Sequence, residues 1–390
     1  MPSHARDTMP DRGLVFWPVG NGDSTTVLID HATVMQVDLH DMAQADEADD
    51  PHVPVIDRLV ELLSTGSDGR PYLAGFALTH PDLDHCRGFA DLLERATIGE
   101  LWLTPRVFRD NTDGELSEDA QAYCDEAMRR VKKTIASGGV ARSGDRVRII
   151  GYDDLLAEDD FTGFPKELLT IPGTAVTTLD GTEHAGVFRS FIHSPFTGDS
   201  AGGERNETSL GMQVTLWSGT CVKRALLLGD LGYPTIRRIF DLSDPDNLAW
   251  DVLLAPHHCS KRAMYWPDDP GGQERLRDDL VKDLDEHARP GAYIVASSRP
   301  MPARDEPGAD PPHLKAKQAY EGIVDLGHFL CTSEHPNTDQ PEPVVIAVSD
   351  ATCGYQPPTG RSAARAGLSA AVARSRGTAA PPVRPHGFGR

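Results

Sequence analysis

The sequence predicts an α/β fold. Short apolar, strand-like runs at 73–79, 225–229, 251–255, 292–297 and 344–348 alternate with segments of helical periodicity, and they fall into two β-rich halves, each flanked by helices. A chain of 390 residues with 39 % hydrophobic content has enough apolar material for a large core. Several of the strand-like runs end in residues that bind metals, which places chemistry where rigid elements stop and loops begin.

In chain order, residues 13–38 read as a hairpin of short strands whose glycines at 20 and 22 permit a tight turn. Val55, Ile56, Leu59, Val60, Leu62 and Leu63 recur at helical spacing until Gly66 and Gly69 end the helix. The strand at 73–79 follows, then a polar loop, then a short helix over 88–94 and a strand at 100–104. Ser117 caps a long helix to Ile135 that carries a polar face of Glu118, Asp125, Arg129 and Lys132. Arg146–Ile150 resumes the sheet. Residues 151–188 are acidic, Gly/Thr-rich and weakly periodic, as expected of a partly irregular insertion. Strands at 209–217 and 223–229 form a hairpin around Ser218-Gly-Thr220. A charged helix over 275–287, a strand at 292–297, a helix at 314–324 and a closing strand at 344–348 complete the body, residues 13–353. Residues 1–12 read as a flexible N-terminus. From Gly354 onward Ala, Arg, Pro, Gly and Ser dominate, as in a disordered tail.

The most informative stretch is Thr79-His-Pro-Asp-Leu-Asp-His-Cys-Arg-Gly88. It sets His80, Asp82, Asp84 and His85 on one loop directly after a strand. Alternate residues there can converge on one point while adjacent ones face a second, so the loop can hold two cations a few ångström apart. Imidazole with carboxylate suits zinc, manganese or iron. Downstream, Ala225-Leu-Leu-Leu-Gly-Asp230 is an apolar strand ending in Gly-Asp, and Asp251-Val-Leu-Leu-Ala-Pro-His-His-Cys-Ser260 carries a doubled histidine.

These motifs, in this order, resemble the metallo-β-lactamase superfamily, whose signature is His-x-His-x-Asp-His. The His-x-Asp-x-Asp-His form found here resembles the branch containing the C-terminal hydrolase domain of ComEC-type DNA-uptake proteins and its stand-alone relatives. Phe16-Trp-Pro-Val-Gly-Asn-Gly-Asp-Ser24 and Asn206-Glu-Thr-Ser-Leu210 resemble further elements of that branch. The resemblance implies an αββα metallo-β-lactamase sandwich with insertions and a site for two divalent metal ions, zinc or manganese. His80, Asp82 and the candidate third ligand His193 would hold the first ion. Asp84, His85 and either His257 or His258, with His257 preferred, would hold the second, and Asp230 would bridge. Asp38 would orient the metal loop from behind, and Asp84 would orient the attacking water. His313 would either contact substrate or stand at the surface where a helix begins. His40, Asp41, Cys86, Arg87 and Cys259 replace small residues of the family pattern and are expected to add side chains near the cleft.

The implied activity is hydrolysis by a water activated between the metals. A phosphodiesterase or nuclease ranks first. A hydrolase of carboxylic esters, lactones or thioesters on the same site comes second, and a catalytically silent metal-binding scaffold third. Net charge −21 argues against a broad basic face for nucleic acid. It leaves room for a nucleic-acid or nucleotide substrate, because bound dications invert the local sign. The tail, with arginines 361, 365, 374, 376, 384 and 390 and no acid, is a candidate arm toward nucleic acid or a partner protein. Six cysteines without a Cys-x-x-Cys pair read as free thiols in a reducing cytoplasm. No run approaches the roughly 20 apolar residues that span a bilayer, and the N-terminus lacks the apolar stretch of a signal peptide, so no membrane role is expected.

Overall fold

Two sheets packed face to face form the centre of the molecule. The computed structural model describes residues 8–42, 53–110, 116–197 and 205–358. In the first sheet the strands run Cys353–Gln356, Val344–Val348, Gly13–Phe16, Thr25–Leu28, Val34–Val37, Pro71–Ala77, Thr97–Leu103, Arg146–Ile150 and Leu169–Thr170, with Ser64–Thr65 paired beside Pro71–Ala77. The second sheet runs Ala175–Val176, Phe188–Ile192, Met212–Ser218, Cys221–Leu227, Trp250–Leu254, Ala288–Ala296 and Phe329–Cys331. Each sheet is antiparallel on one side and parallel on the other. The change falls between Val34–Val37 and Pro71–Ala77 in the first sheet and between Cys221–Leu227 and Trp250–Leu254 in the second.

Alternation along the strands explains the layers. Leu14 and Phe16 point into the space between the sheets, while Val15 points to the outer face. Ala225 and Leu227 likewise face inward, and Leu226 faces out. Successive side chains on a strand point to opposite faces, so a strand apolar at every position must be covered on both sides. Helices Val55–Leu62, Phe89–Arg95 and Glu118–Ala136 cover the first sheet, and Tyr233–Leu242, Asp278–His287 and Leu314–Glu321 cover the second. The result is the expected αββα sandwich. Ser117 caps the long helix as expected, its hydroxyl accepting from the Ala120 N–H at 3.2 Å.

Some expectations are corrected. Residues 151–188 do include three short 3-10 turns, but Leu169–Thr170 extends the first sheet and Ala175–Val176 the second, so this stretch carries the chain from one sheet to the other. The helix expected from Arg275 begins at Asp278, because Arg275–Leu276 pairs with Tyr265–Trp266 as a two-stranded ribbon. The ordered body does not stop at residue 353: Cys353–Gln356 pairs with Val344–Val348. Nor are all six cysteines free, since Cys221 and Cys353 form a disulfide, while Cys86, Cys124, Cys259 and Cys331 are buried thiols. Among the described residues no helix is long and apolar enough to cross a membrane. Most of the expected flexible N-terminus (1–7) and of the tail (359–390), with all six tail arginines, lies outside the described residues.

Candidate metal centre

Four strand ends meet at one rim of the sandwich. Val34–Val37 leads into Asp38, Pro71–Ala77 into the loop from Thr79, Cys221–Leu227 into Asp230, and Trp250–Leu254 into His257 and His258. Rigid strands thereby fix the start of each loop, and only a few residues separate them from the ligand atoms.

Asp230 is at the centre, and its two oxygens face different partners. Oδ1 lies 3.2 Å from His85 Nε2 and 3.6 Å from His258 Nε2, and His258 Nε2 is 3.3 Å from Asp84 Oδ2. Oδ2 lies 3.9 Å from His80 Nε2 and 3.5 Å from His257 Nε2, and His80 Nε2 is 3.5 Å from Asp82 Oδ2. Donor atoms held about 2.1 Å from a tetrahedral ion stand about 3.4 Å apart, so these separations fit metal ligation. The ligand atoms of Asp84, His85, Asp230 and His258 all lie within 4.8 Å of one another.

Hydrogen bonding supports the same reading. His80 Nε2, His85 Nε2, His258 Nε2 and Asp230 Oδ1 are buried and make no hydrogen bond. Orphaned buried polar atoms are costly, and the gathering of these four about the Asp230 carboxylate fits cation binding there. The opposite ring nitrogens are all engaged. His85 Nδ1 bonds Asp38 Oδ2 at 2.8 Å, His80 Nδ1 bonds the Thr79 hydroxyl at 3.1 Å, and His258 Nδ1 bonds the Ser297 carbonyl at 3.2 Å. Anchoring at Nδ1 aims Nε2 inward, the usual arrangement of metal-binding histidines. Asp38 lies behind His85 and also accepts from the Thr79 N–H and hydroxyl, each at 2.8 Å. A further acidic group of Asp23, Asp38 and His85 lies close by, but it meets the histidines at Nδ1 and so belongs to this outer layer.

The doubled histidine resolves differently from expectation. His257, His258 and Cys259 have φ of 51°, 53° and 64°, three consecutive residues in the left-handed region. Each such residue costs about 1–2 kcal/mol and is tolerated where the surroundings enforce it. The turn brings both imidazoles to Asp230 from opposite sides. His258 therefore joins Asp84 and His85, and His257 reaches the other oxygen of Asp230, the one that also faces His80. It is His258, not the preferred His257, that lies beside Asp84 and His85.

His193 is not in the cluster. Its Nδ1 bonds the Ser243 hydroxyl at 2.9 Å and its Nε2 the Asn247 carbonyl at 3.1 Å, so both nitrogens are occupied by the protein. His257, not His193, lies at the Asp230 oxygen that faces His80. His313 lines a cleft of about 400 Å³ beside His257, with Nδ1 accepting from the Lys261 N–H at 3.3 Å and Nε2 bonded to the Ala309 carbonyl at 3.1 Å. Its ring shapes the wall and holds Lys261. His40, Asp41, Cys86 and Cys259 are buried and pack behind the site, so they do not crowd the cleft. Gly22 shows how tightly they pack: a Cβ there would overlap His40 Nδ1 and the Asp84 carbonyl.

Two participants were missed. Asp23, the acid of the Gly-Asn-Gly-Asp-Ser turn, has Oδ1 3.5 Å from His258 Nδ1. Arg205 Nη1 lies 2.7 Å from Asp82 Oδ1. The motif quoted for the hairpin contained Asp23, whereas nothing local to Arg205 signals a contact 123 residues away.

The electrostatics describe a metal-free site holding protons. Burial opposes charge on His85, but Asp230, Asp38 and Asp84 together raise its pKa well above the usual value. For His258, burial is again outweighed, chiefly by Asp230 with Asp23 and Asp84, and the group is pushed up to about 10. Asp230 is depressed despite its burial, by His258, His85 and His257. Their surroundings thus favour the charged form of both imidazoles, and each would have to lose its proton to bind a metal. Metal binding at pH 7 is expected to release about two protons per chain, one from each imidazolium. Calorimetric titration in buffers of different ionisation enthalpy measures this, and a heat independent of buffer would refute it.

No family model matches the chain, and no curated protein does. Among solved structures it is similar to the class B3 di-zinc metallo-β-lactamase LRA-12 from an Alaskan soil metagenome, with 13 % identity over 74 % of this chain and 95 % of that one and a TM-score of 0.31. It is also similar to the metallo-β-lactamase GOB-18 from Elizabethkingia meningoseptica, with 12 % identity over 74 % and 92 % of the two chains and a TM-score of 0.32. The four layers stand on the strand order and packing given above.

Proposed function

We propose that the protein is a metal-dependent hydrolase of phosphodiesters. The observation that carries this is the division of donors about Asp230: His80 and His257 face one carboxylate oxygen, with Asp82 beside His80, and His85 and His258 face the other, with Asp84 beside His258. Two divalent cations bound there, zinc or manganese, supply Lewis acidity and lower the pKa of water from 15.7 to about 7.

The protein's own groups supply orientation. Asp84 is the most open of the three carboxylates, with its side chain 39 % exposed, and it accepts a hydrogen bond from the attacking water. Asp38, Thr79, Ser209 and Ser297 keep the imidazoles aimed. The cleft beside His257 is polar and of mixed charge, lined by Asn206, Ser260, Lys261, Arg262, Glu274 and Asp310 among others, with Lys261 paired to Glu274 at 2.7 Å. Two bound dications would make the site locally positive in a chain of net charge −21, and that favours an anionic ester over a neutral one. A nucleotide or nucleic-acid phosphodiester meets that description.

The test is hydrolysis of bis-p-nitrophenyl phosphate and p-nitrophenyl acetate by metal-stripped protein reconstituted with zinc or with manganese. Turnover of the phosphodiester, restored by metal and lost in Asp84→Ala, is expected. Turnover of the acetate alone would replace this reading with a carboxylic-ester hydrolase. Full metal uptake with neither activity would point to a silent scaffold.

A further inference from the structure

The first donor group contains a carboxylate, Asp82, where the resembling family has a histidine. That exchange raises the ligand carboxylates from two to three and changes an uncharged donor into an anion. Such a group needs a counter-charge and a means of choosing which oxygen faces inward. Arg205 provides both. Its Nη1 lies 2.7 Å from Asp82 Oδ1, while Asp82 Oδ2 remains 3.5 Å from His80 Nε2. The two oxygens of Asp82 are thus assigned, one outward to the guanidinium and one inward to the donor group.

The element bearing Arg205 is firmly placed. In the 3-10 turn Arg205–Thr208, the Thr208 hydroxyl donates to the Arg205 carbonyl at 2.7 Å. Ser209, bonded to the Asn206 carbonyl at 2.7 Å, reaches His80 Nδ1 at 3.3 Å. The Glu207 carboxylate accepts from the Gly232 N–H at 3.1 Å and from the Thr235 hydroxyl. One turn therefore touches Asp82 and His80 and is tied to the segment just after Asp230.

We propose that Arg205 is a positioning residue for the first metal position. It holds Asp82 with one oxygen toward His80 and restores the net charge that a third carboxylate removes. This rests on the metal centre proposed above. With Arg205 present, the ligand carboxylates and their partner sum to the charge of a two-carboxylate site, and the centre keeps its attraction for an anionic substrate.

The experiment is metal titration of the metal-stripped protein by calorimetry, with thermal melting of the metal-free forms as a control for folding. Arg205→Ala is expected to weaken one of the two binding events about 10–100-fold and leave the other unchanged, with Arg205→Lys between it and the wild type. In an Asp82→His background the Arg205→Ala change is expected to shift metal affinity less than about threefold, because the imidazole needs no counter-charge. Equal losses in both backgrounds would overturn the pairing. So would unchanged metal affinity with a raised KM for bis-p-nitrophenyl phosphate, which would make Arg205 a substrate contact. A wild-type chain that takes up no metal defeats the metal centre itself, before any variant is compared.

Discussion

Asp230→Asn is expected to lower kcat/KM for bis-p-nitrophenyl phosphate by about a thousandfold or more, a loss of at least about 4 kcal/mol of transition-state stabilisation. The substitution keeps shape and removes the one negative charge shared by both donor groups. A carboxamide presents one oxygen and one NH2, so whichever way it turns, a donor replaces an acceptor beside either His85 and His258 or His80 and His257. Metal content should fall with activity. The fold should persist, because Asp230 Oδ1 makes no hydrogen bond that the sandwich depends on. Metal analysis, steady-state kinetics and circular dichroism on one preparation separate these effects. A variant that kept two metals and full turnover would remove Asp230 from the centre and with it the division of donors.

Much of this site was legible in the sequence, for a specific reason. His80, Asp82, Asp84, His85 and Asp230 each follow an apolar strand by a few residues, and a strand end fixes where the next residues go. Asp38 was legible on the same grounds. The doubled histidine could be located but not oriented, since its direction depends on three consecutive left-handed residues that no propensity favours. His193 was misread because its ring direction is decided by Ser243 and Asn247, about 50 residues away. Arg205 was invisible for the same kind of reason.

The fold shows a parallel division. Strands such as Val344–Val348, apolar throughout, were found. Phe188–Ile192, where Arg189 interrupts a short run within a Gly/Thr-rich stretch, was not. Its alternating burial appears only once Met212–Ser218 lies beside it. The layering was legible because strands apolar on both faces require cover on both faces. The route of residues 151–188 between the sheets was not, because its strands are two residues long and are defined by their neighbours.

Replacing Cys353 with serine is expected to lower global stability by about 3–5 kcal/mol while leaving metal affinity and turnover unchanged at low temperature. The disulfide closes a loop with a sequence separation of 132, and the chain-entropy cost of such a loop in the unfolded state is about 5 kcal/mol. It ties the first residue of Cys221–Leu227, in the second sheet, to Cys353–Gln356 at the edge of the first. Asp230 follows the far end of that same strand, whose seven residues at about 3.3 Å each hold the bridge roughly 20 Å from the metal centre. Stability and chemistry should therefore separate. Urea unfolding with and without reductant should show a shift for the wild type and none for Cys353→Ser, and the denatured oxidised chain should titrate as four thiols. Six titratable thiols and no effect of reductant would return these cysteines to the free state their spacing first suggested. A reductant-dependent shift would instead place the protein's full stability in an oxidising environment, where such a bridge persists.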